Sequence, residues 1–254
     1  MIGALAGTSA GLFGIGGGII IVPGLVLVFT ALQFSNEHLT HIAVGTSLAT
    51  IIVTGSASAW THHQHQAVRW PLVKRLLPGI IVGAIIGAAF ADSLSSDRLR
   101  QLFGLLQIIL AAKLWLNLTP EQGEFKPHKI EMPLVGAVIG ALASCFGIGG
   151  GALTGPYLLF RGQAVLHSVA TASAVGVPIA ITGAISFIIT GLNATHLPTW
   201  SSGYVYWPAF ISICAATLVF APLGARLAHK LKPAALKKAF AILLVVVGIK
   251  MLIG

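Results

Sequence analysis

The chemistry that this sequence can offer lies in backbone amides rather than in acid or base side chains. Residues 13–23 read Phe-Gly-Ile-Gly-Gly-Gly-Ile-Ile-Ile-Val-Pro, and residues 146–156 read Phe-Gly-Ile-Gly-Gly-Gly-Ala-Leu-Thr-Gly-Pro. Seven of these eleven positions agree, and the copies lie 133 residues apart. Glycine inside a helix costs about 1 kcal/mol relative to alanine. Four glycines within five residues therefore interrupt any helix that holds them. A new helix then starts at about Gly18 and again at about Gly151. A helix N-terminus presents unbonded N–H groups and about half a positive charge. Such an end takes an anion without any cationic side chain, and glycine lets the ligand approach the main chain closely. Gly14, Gly16, Gly17, Gly18, Gly147, Gly149, Gly150 and Gly151 are thus candidate substrate-binding residues. Tight helix packing is the alternative, although packing motifs space small residues instead of stacking them.

Hydroxyls and imidazoles follow each break. His41-Ile42-Ala43-Val44-Gly45-Thr46-Ser47 is echoed by His167-Ser168-Val169-Ala170-Thr171-Ala172-Ser173. Thr46, Ser47, Thr171 and Ser173 could donate to anion oxygens, or bond back to a carbonyl one turn earlier. His41 and His167 occupy matched positions and could carry protons, since imidazole as a group titrates near neutral pH; a place at the membrane interface is the plainer reading. His62, His63 and His65 cluster without acidic or cysteine partners, so no metal is expected, and no cofactor. Lys113 and Lys250 occupy matched positions near span ends, where snorkelling is the default.

The surroundings of these residues are apolar. Only 8% of the 254 residues are charged, against about 25% in soluble domains. No Asp, Glu, Lys or Arg occurs from Met1 to Asn36, His38 to Val68, Met132 to Phe160, or Gly162 to Ala225. Spanning a bilayer takes ~20 apolar residues, so the chain is an all-α polytopic membrane protein. Its net charge of +9 speaks to orientation in the membrane and not to nucleic acid. Cys145 and Cys214 sit in apolar segments and read as small hydrophobes. No cleavable leader is evident at the N-terminus. All six acidic residues fall in segments read as loops, which argues against coupling through an intramembrane carboxylate.

Taken in order, the first half holds a short helix to Phe13, the first break, a short helix Ile19–Gln33, and spans Leu39–Trp60, Leu72–Ala91 and Leu102–Leu118. A linker occupies 119–131. The second half repeats this with Met132–Cys145, the second break, Ala152–Phe160, and spans Val165–Thr190, Ala209–Ala225 and Ala235–Ile253. Trp70-Pro71 matches Trp207-Pro208, and Gly79, Gly83 and Gly87 recur every four residues. The repeats are 1–118 and 132–254. If each broken segment crossed the bilayer, Lys and Arg would divide 7 against 8 between the two sides. If each is a re-entrant hairpin, they divide 12 against 3. Cytoplasmic loops carry the excess. The expected fold is two inverted repeats, each a glycine-broken re-entrant hairpin plus three transmembrane helices, with both termini outside.

The paired Gly-Ile-Gly-Gly-Gly…Pro motifs, Ala43-Val44-Gly45-Thr46-Ser47-Leu48 and the two Trp-Pro pairs resemble the sulfite exporter TauE/SafE family of membrane transporters, over almost the full chain. The resemblance implies transport of sulfite, an organosulfonate or thiosulfate across the plasma (inner) membrane. The residues themselves say only a small anion. The second hydroxyl motif departs, reading Thr171-Ala172-Ser173, so the half-sites are not equal. Alternating access between repeats is the expected mechanism. An anion channel filtering at the same glycines is the alternative. No nucleophile–base pair points to an intramembrane enzyme. The partners expected are the small anion and the lipid bilayer; a homodimer is left open by the sequence.

Overall fold

The computed structural model describes residues 18–115, 131–230 and 233–253. Gly14, Gly16, Gly17, the helix expected before them and the linker up to residue 130 lie outside these. The chain is helical: α1 (Gly18–Ala31), α2 (Leu39–Gln64), α3 (Trp70–Asp92), α4 (Ser96–Trp115), α5 (Glu131–Cys145), α6 (Gly151–Phe160), α7 (Val165–Thr190), α8 (Trp207–Lys230) and α9 (Pro233–Ile253). A two-stranded hairpin, β1 (Ser201–Ser202) with β2 (Val205–Tyr206), joins α7 to α8. By length and composition α2, α3 and the run Val165–Asn193 can each cross a membrane. At 1.5 Å per residue, α6, with 10 residues, reaches only about 15 Å, and the 14 described residues of α1 about 21 Å.

Several boundaries depart from those read in the sequence. The helix α2 continues through His62 and His63, past the expected span end at Trp60. The turn after α3 shrinks to three residues, because α4 starts at Ser96. Asp92, Asp97 and Glu131 accordingly sit at helix ends rather than in loops. The segment 191–206, read as loop, contains the hairpin.

Small residues decide which helices touch. On α3 a Cβ added at Gly79, Gly83 or Gly87 would lie 1.7, 2.0 or 2.1 Å from the carbonyl oxygens of Pro133, Ala137 and Ala141 on α5. Gly136 and Gly140 of α5 ride in turn on the Leu76 and Ile80 carbonyls. Residue numbers rise together along this contact, so α3 and α5 are parallel. Dispersion at close backbone approach is what associates helices in lipid. Gly104 of α4 and Gly248 of α9 meet in the same way.

The matched helices α2 and α7 pack in the opposite sense. Gly45 lies by Phe187, Gly183 by Leu48, and Gly55 by Val177, and the Ser58 hydroxyl reaches that of Ser173 at 3.4 Å. Rising numbers on one helix meet falling numbers on the other, so they run antiparallel. The base of the α5–α6 hairpin is closed by an ion pair between Arg161 and Glu131. The Tyr157 hydroxyl donates to the same carboxylate at 3.2 Å.

Candidate functional site

The second glycine break is two devices in sequence. Gly147 ends α5 with φ +63, a left-handed conformation that glycine adopts without strain. Its N–H donates to the Ser144 carbonyl and that of Ile148 to the Ala143 carbonyl, the paired bonds of a Schellman stop. Gly150 then caps α6, its carbonyl accepting from Leu153 and Thr154, with no side-chain cap. Among the described residues nothing accepts from the N–H groups of Gly149, Gly150, Gly151 and Ala152. The Thr154 hydroxyl, fully buried one turn further on, also lacks a partner among them.

This turn meets the start of α1. A Cβ at Gly18 would lie 2.5 Å from the Gly147 carbonyl oxygen and 3.0 Å from the Ile148 Cα. Residues of the two halves are thereby in main-chain contact. Ile51 lies against both Gly18 and Gly149, and Gly176 faces Gly149 and Gly150. Both Ile51 and Gly176 are about halfway along their long helices. Gly176 drew no attention in the sequence, where it is one of 30 glycines.

Pro23 and Pro156 each stand five residues into α1 and α6. A helix proline removes the bond that the carbonyl four residues earlier would receive. At Pro23 that carbonyl is Ile19, and the Gln107 side chain of α4 donates to it at 2.9 Å. Gln107 is 1% exposed, and its Oε1 has no partner among the described residues. A lone glutamine in the apolar run 102–118 was the available signal, but nothing in that run points to Ile19.

The hydroxyls are engaged by protein. Ser47 donates to the Gly147 carbonyl at 2.8 Å. Thr46 Oγ1 accepts the N–H of Tyr206 at 3.0 Å, and Thr171 Oγ1 that of Arg69, also at 3.0 Å. Tyr206 and Arg69 each precede a Trp-Pro pair, so the two bonds are matched across the halves. Ser173 bonds back to Val169, the local alternative for a helical serine. Ser47 is the hydroxyl that touches the break. Replacing it with alanine leaves the buried Gly147 carbonyl short of a donor, for a loss of about 1–2 kcal/mol. A lower Tm for Ser47→Ala in detergent is the expected reading.

The histidines occupy opposite ends. His41 is 2% exposed, and its Nε2 lies 2.9 Å from the Ala91 carbonyl oxygen. His167 is half-buried, with Nδ1 2.8 Å from the Ala67 carbonyl oxygen. Neither touches the break. Above His41 the β1–β2 hairpin closes the end of the bundle. The Tyr204 carbonyl seats on Gly45, where a Cβ would come within 2.5 Å. The Tyr204 hydroxyl donates to Asp92 at 2.8 Å. Burial, reinforced by that carboxylate, raises the phenol above its ordinary range, so it stays a donor. Tyr206 packs edge-on against Phe29 of α1 and Phe34 just after it. Exposed Lys113 and Lys250 lie at their helix ends. The rings of His63 and Trp70 share a hydrogen bond at 3.1 Å.

A site of neutral amides, hydroxyls and a carboxamide, enclosed by apolar helices, suits a solute that accepts hydrogen bonds. The family model described as sulfite exporter TauE/SafE matches residues 1–251. A probable membrane transporter protein of Haemophilus influenzae is 37% identical over 252 residues, 99% of this chain and 96% of the relative. The probable membrane transporter protein YunE of Bacillus subtilis is 26% identical, over 99% of this chain and 95% of its own. MJ0441 of Methanocaldococcus jannaschii, also named a probable membrane transporter protein, is 26% identical over 100% and 94%. No solved structure matches. This multi-pass membrane protein belongs to the sulfite exporter TauE/SafE family.

Proposed function

We propose that the protein carries a small sulfur-containing anion (sulfite, an organosulfonate or thiosulfate) across the plasma membrane. It does so by alternating access around the glycine breaks. The observation that carries this reading is the contact between Gly18 and the Gly147 turn, beside the amides of Gly149–Ala152 and the Thr154 hydroxyl, which have no partner among the described residues. Hydrogen-bond donors with no carboxylate beside them among the described residues favour an anion, and the helix start at Gly151 adds its positive end. The family description supplies the sulfur.

The halves are inverted in the bilayer on this reading. Its support is the antiparallel packing of the matched helices α2 and α7. Further support is that α1 leads from mid-bundle to the hairpin end while α6 leads to the opposite one. Each half then offers one short helix to a shared site, and rocking one half against the other exposes it to alternate sides.

Counterflow of labelled sulfite in proteoliposomes tests the proposal. A carrier shows saturation and uptake stimulated by sulfite inside. A conductive, unsaturating flux with no stimulation would replace the carrier by a pore. An absence of flux for sulfite, thiosulfate and sulfonates alike would overturn the substrate class.

A further inference from the structure

The two ends of the bundle are sealed by matched backbone bonds but by different side chains. At the Thr171 end, Arg69 and Ala67 supply backbone groups, and half-buried His167 keeps contact with solvent. At the Thr46 end the seal contains Glu37, His38, His41, Asp92, His196 and Tyr204. His41 and Tyr204 have ring centroids 5.1 Å apart, and His38 and Tyr204 5.4 Å. The Tyr204 hydroxyl lies 3.5 Å from His38 Nδ1. Glu37 faces His38 at 3.7 Å and His196 at 3.4 Å. From α4 comes the Ser96 hydroxyl, bonded to Thr40 at 2.9 Å, while Asp97 and Arg100 pair with each other.

The proton count on His41 follows from its partner. A carbonyl only accepts, so the ring nitrogen facing Ala91 carries hydrogen. In the neutral ring the other nitrogen, Nδ1, is then a bare acceptor, and it has no partner among the described residues. Protonation would place a second N–H on this buried atom, with no acceptor already bonded to it among the described residues. The carboxylate within electrostatic reach of the ring is Asp92, next in sequence to Ala91, and Tyr204 occupies one of its oxygens. An imidazolium competes with Tyr204 for that carboxylate. Tyr204 is the side chain by which the hairpin of the second half holds α3 of the first.

We propose that His41 is a proton-binding site that couples proton uptake to opening of this end of the transporter. The proton adds to Nδ1, Asp92 turns from the Tyr204 hydroxyl to the imidazolium, and the hairpin lifts from Gly45 and Thr46. The coupling ion is then a proton carried by histidine, without an intramembrane carboxylate. This rests on the transport reading, but the gate itself is measurable without any substrate.

Val205, in strand β2 of the hairpin, is fully buried and reports its position. In a background of Cys145→Ala and Cys214→Ala, a Val205→Cys variant would be labelled with a membrane-impermeant maleimide, at rates corrected for thiol ionisation with a free-thiol standard. Corrected labelling is expected to rise roughly tenfold from about pH 8 to about pH 5, across the titration range of imidazole. His41→Gln keeps an N–H for the Ala91 carbonyl but cannot take a proton, and its labelling should not change with pH. Equal labelling across that range in the His41-containing protein would overturn the proposal, and that arm needs no His41 variant to fold. A pH response kept in His41→Gln but lost in His38→Gln would also overturn it. Sulfite counterflow measured alongside separates the two readings. Absent flux with a pH-sensitive gate defeats the sulfite carrier alone, whereas flux with a pH-insensitive gate defeats the proton site alone.

Discussion

Replacing Gly83 with valine is expected to abolish the folded protein. A Cβ there would stand 2.0 Å from the Ala137 carbonyl oxygen, 2.7 Å from its carbon and 2.8 Å from the Ala137 Cα. All three are backbone atoms of α5, so no rotamer change relieves the clash and the helices must separate. Gly79 and Gly87, one turn either way, ride equally close on the same helix, so the gap opens along the whole contact. In lipid that contact is the driving force for association, since tails are as apolar as side chains. Overpacking of a close interface typically costs 1–3 kcal/mol, and more where nothing can yield; more than about 3 kcal/mol is expected here. The neighbouring change Val82→Leu, on a side chain 55% exposed, should be neutral. Size-exclusion chromatography in detergent reads the contrast: a monodisperse peak for Val82→Leu and none for Gly83→Val. A monodisperse Gly83→Val with an unchanged Tm would show that α3 and α5 do not pack this way.

Much of this architecture is legible in residue types, because its devices are local. The four-residue spacing of Gly79, Gly83 and Gly87 marks a close helix contact, and the glycine run after Phe146 marks the turn that Gly147 makes. What the sequence hides is the identity of the partners. Thr46 and Thr171 stand out as hydroxyls in apolar spans. Each is bound to a main-chain N–H more than 100 residues away, and no periodicity encodes that. Gln107 answers a carbonyl freed by Pro23, a pairing visible only once α4 lies beside α1. The seal over His41 was hidden for another reason. Strands of two residues have no alternation to read, so the segment 191–206 looked like loop. The carboxylate Asp92 looked like a turn residue until α3 was seen to end on it.

A graded glycine series should separate the main-chain contact at the breaks from mere looseness there. Gly18→Ala is expected to lower sulfite counterflow at least roughly tenfold, about 1.4 kcal/mol in the barrier. Its new methyl would face the Gly147 oxygen at 2.5 Å and the Ile148 Cα at 3.0 Å, and both are backbone. Relief requires the α1 start to withdraw from the turn, which parts the two helix ends that the proposed site needs together. Gly149→Ala meets only the Ile51 side chain, at 3.3 and 3.8 Å, and a small shift of that side chain within its rotamer well accommodates it; flux should stay within about twofold of the parent. Gly150 is intermediate for alanine, since the nearest atom is the flexible Ile179 Cδ1 at 2.7 Å. Leucine at Gly150 cannot fit between Ile179, Thr154 and Val175, and should abolish flux by distorting the turn beside the Gly149–Ala152 amides. The order of severity is therefore set by whether backbone or side chain stands opposite, not by proximity to the break. Equal damage from Gly18→Ala and Gly149→Ala would mean that the glycines serve flexibility. Near-normal flux in Gly18→Ala and Gly150→Leu together would place the anion elsewhere in the bundle.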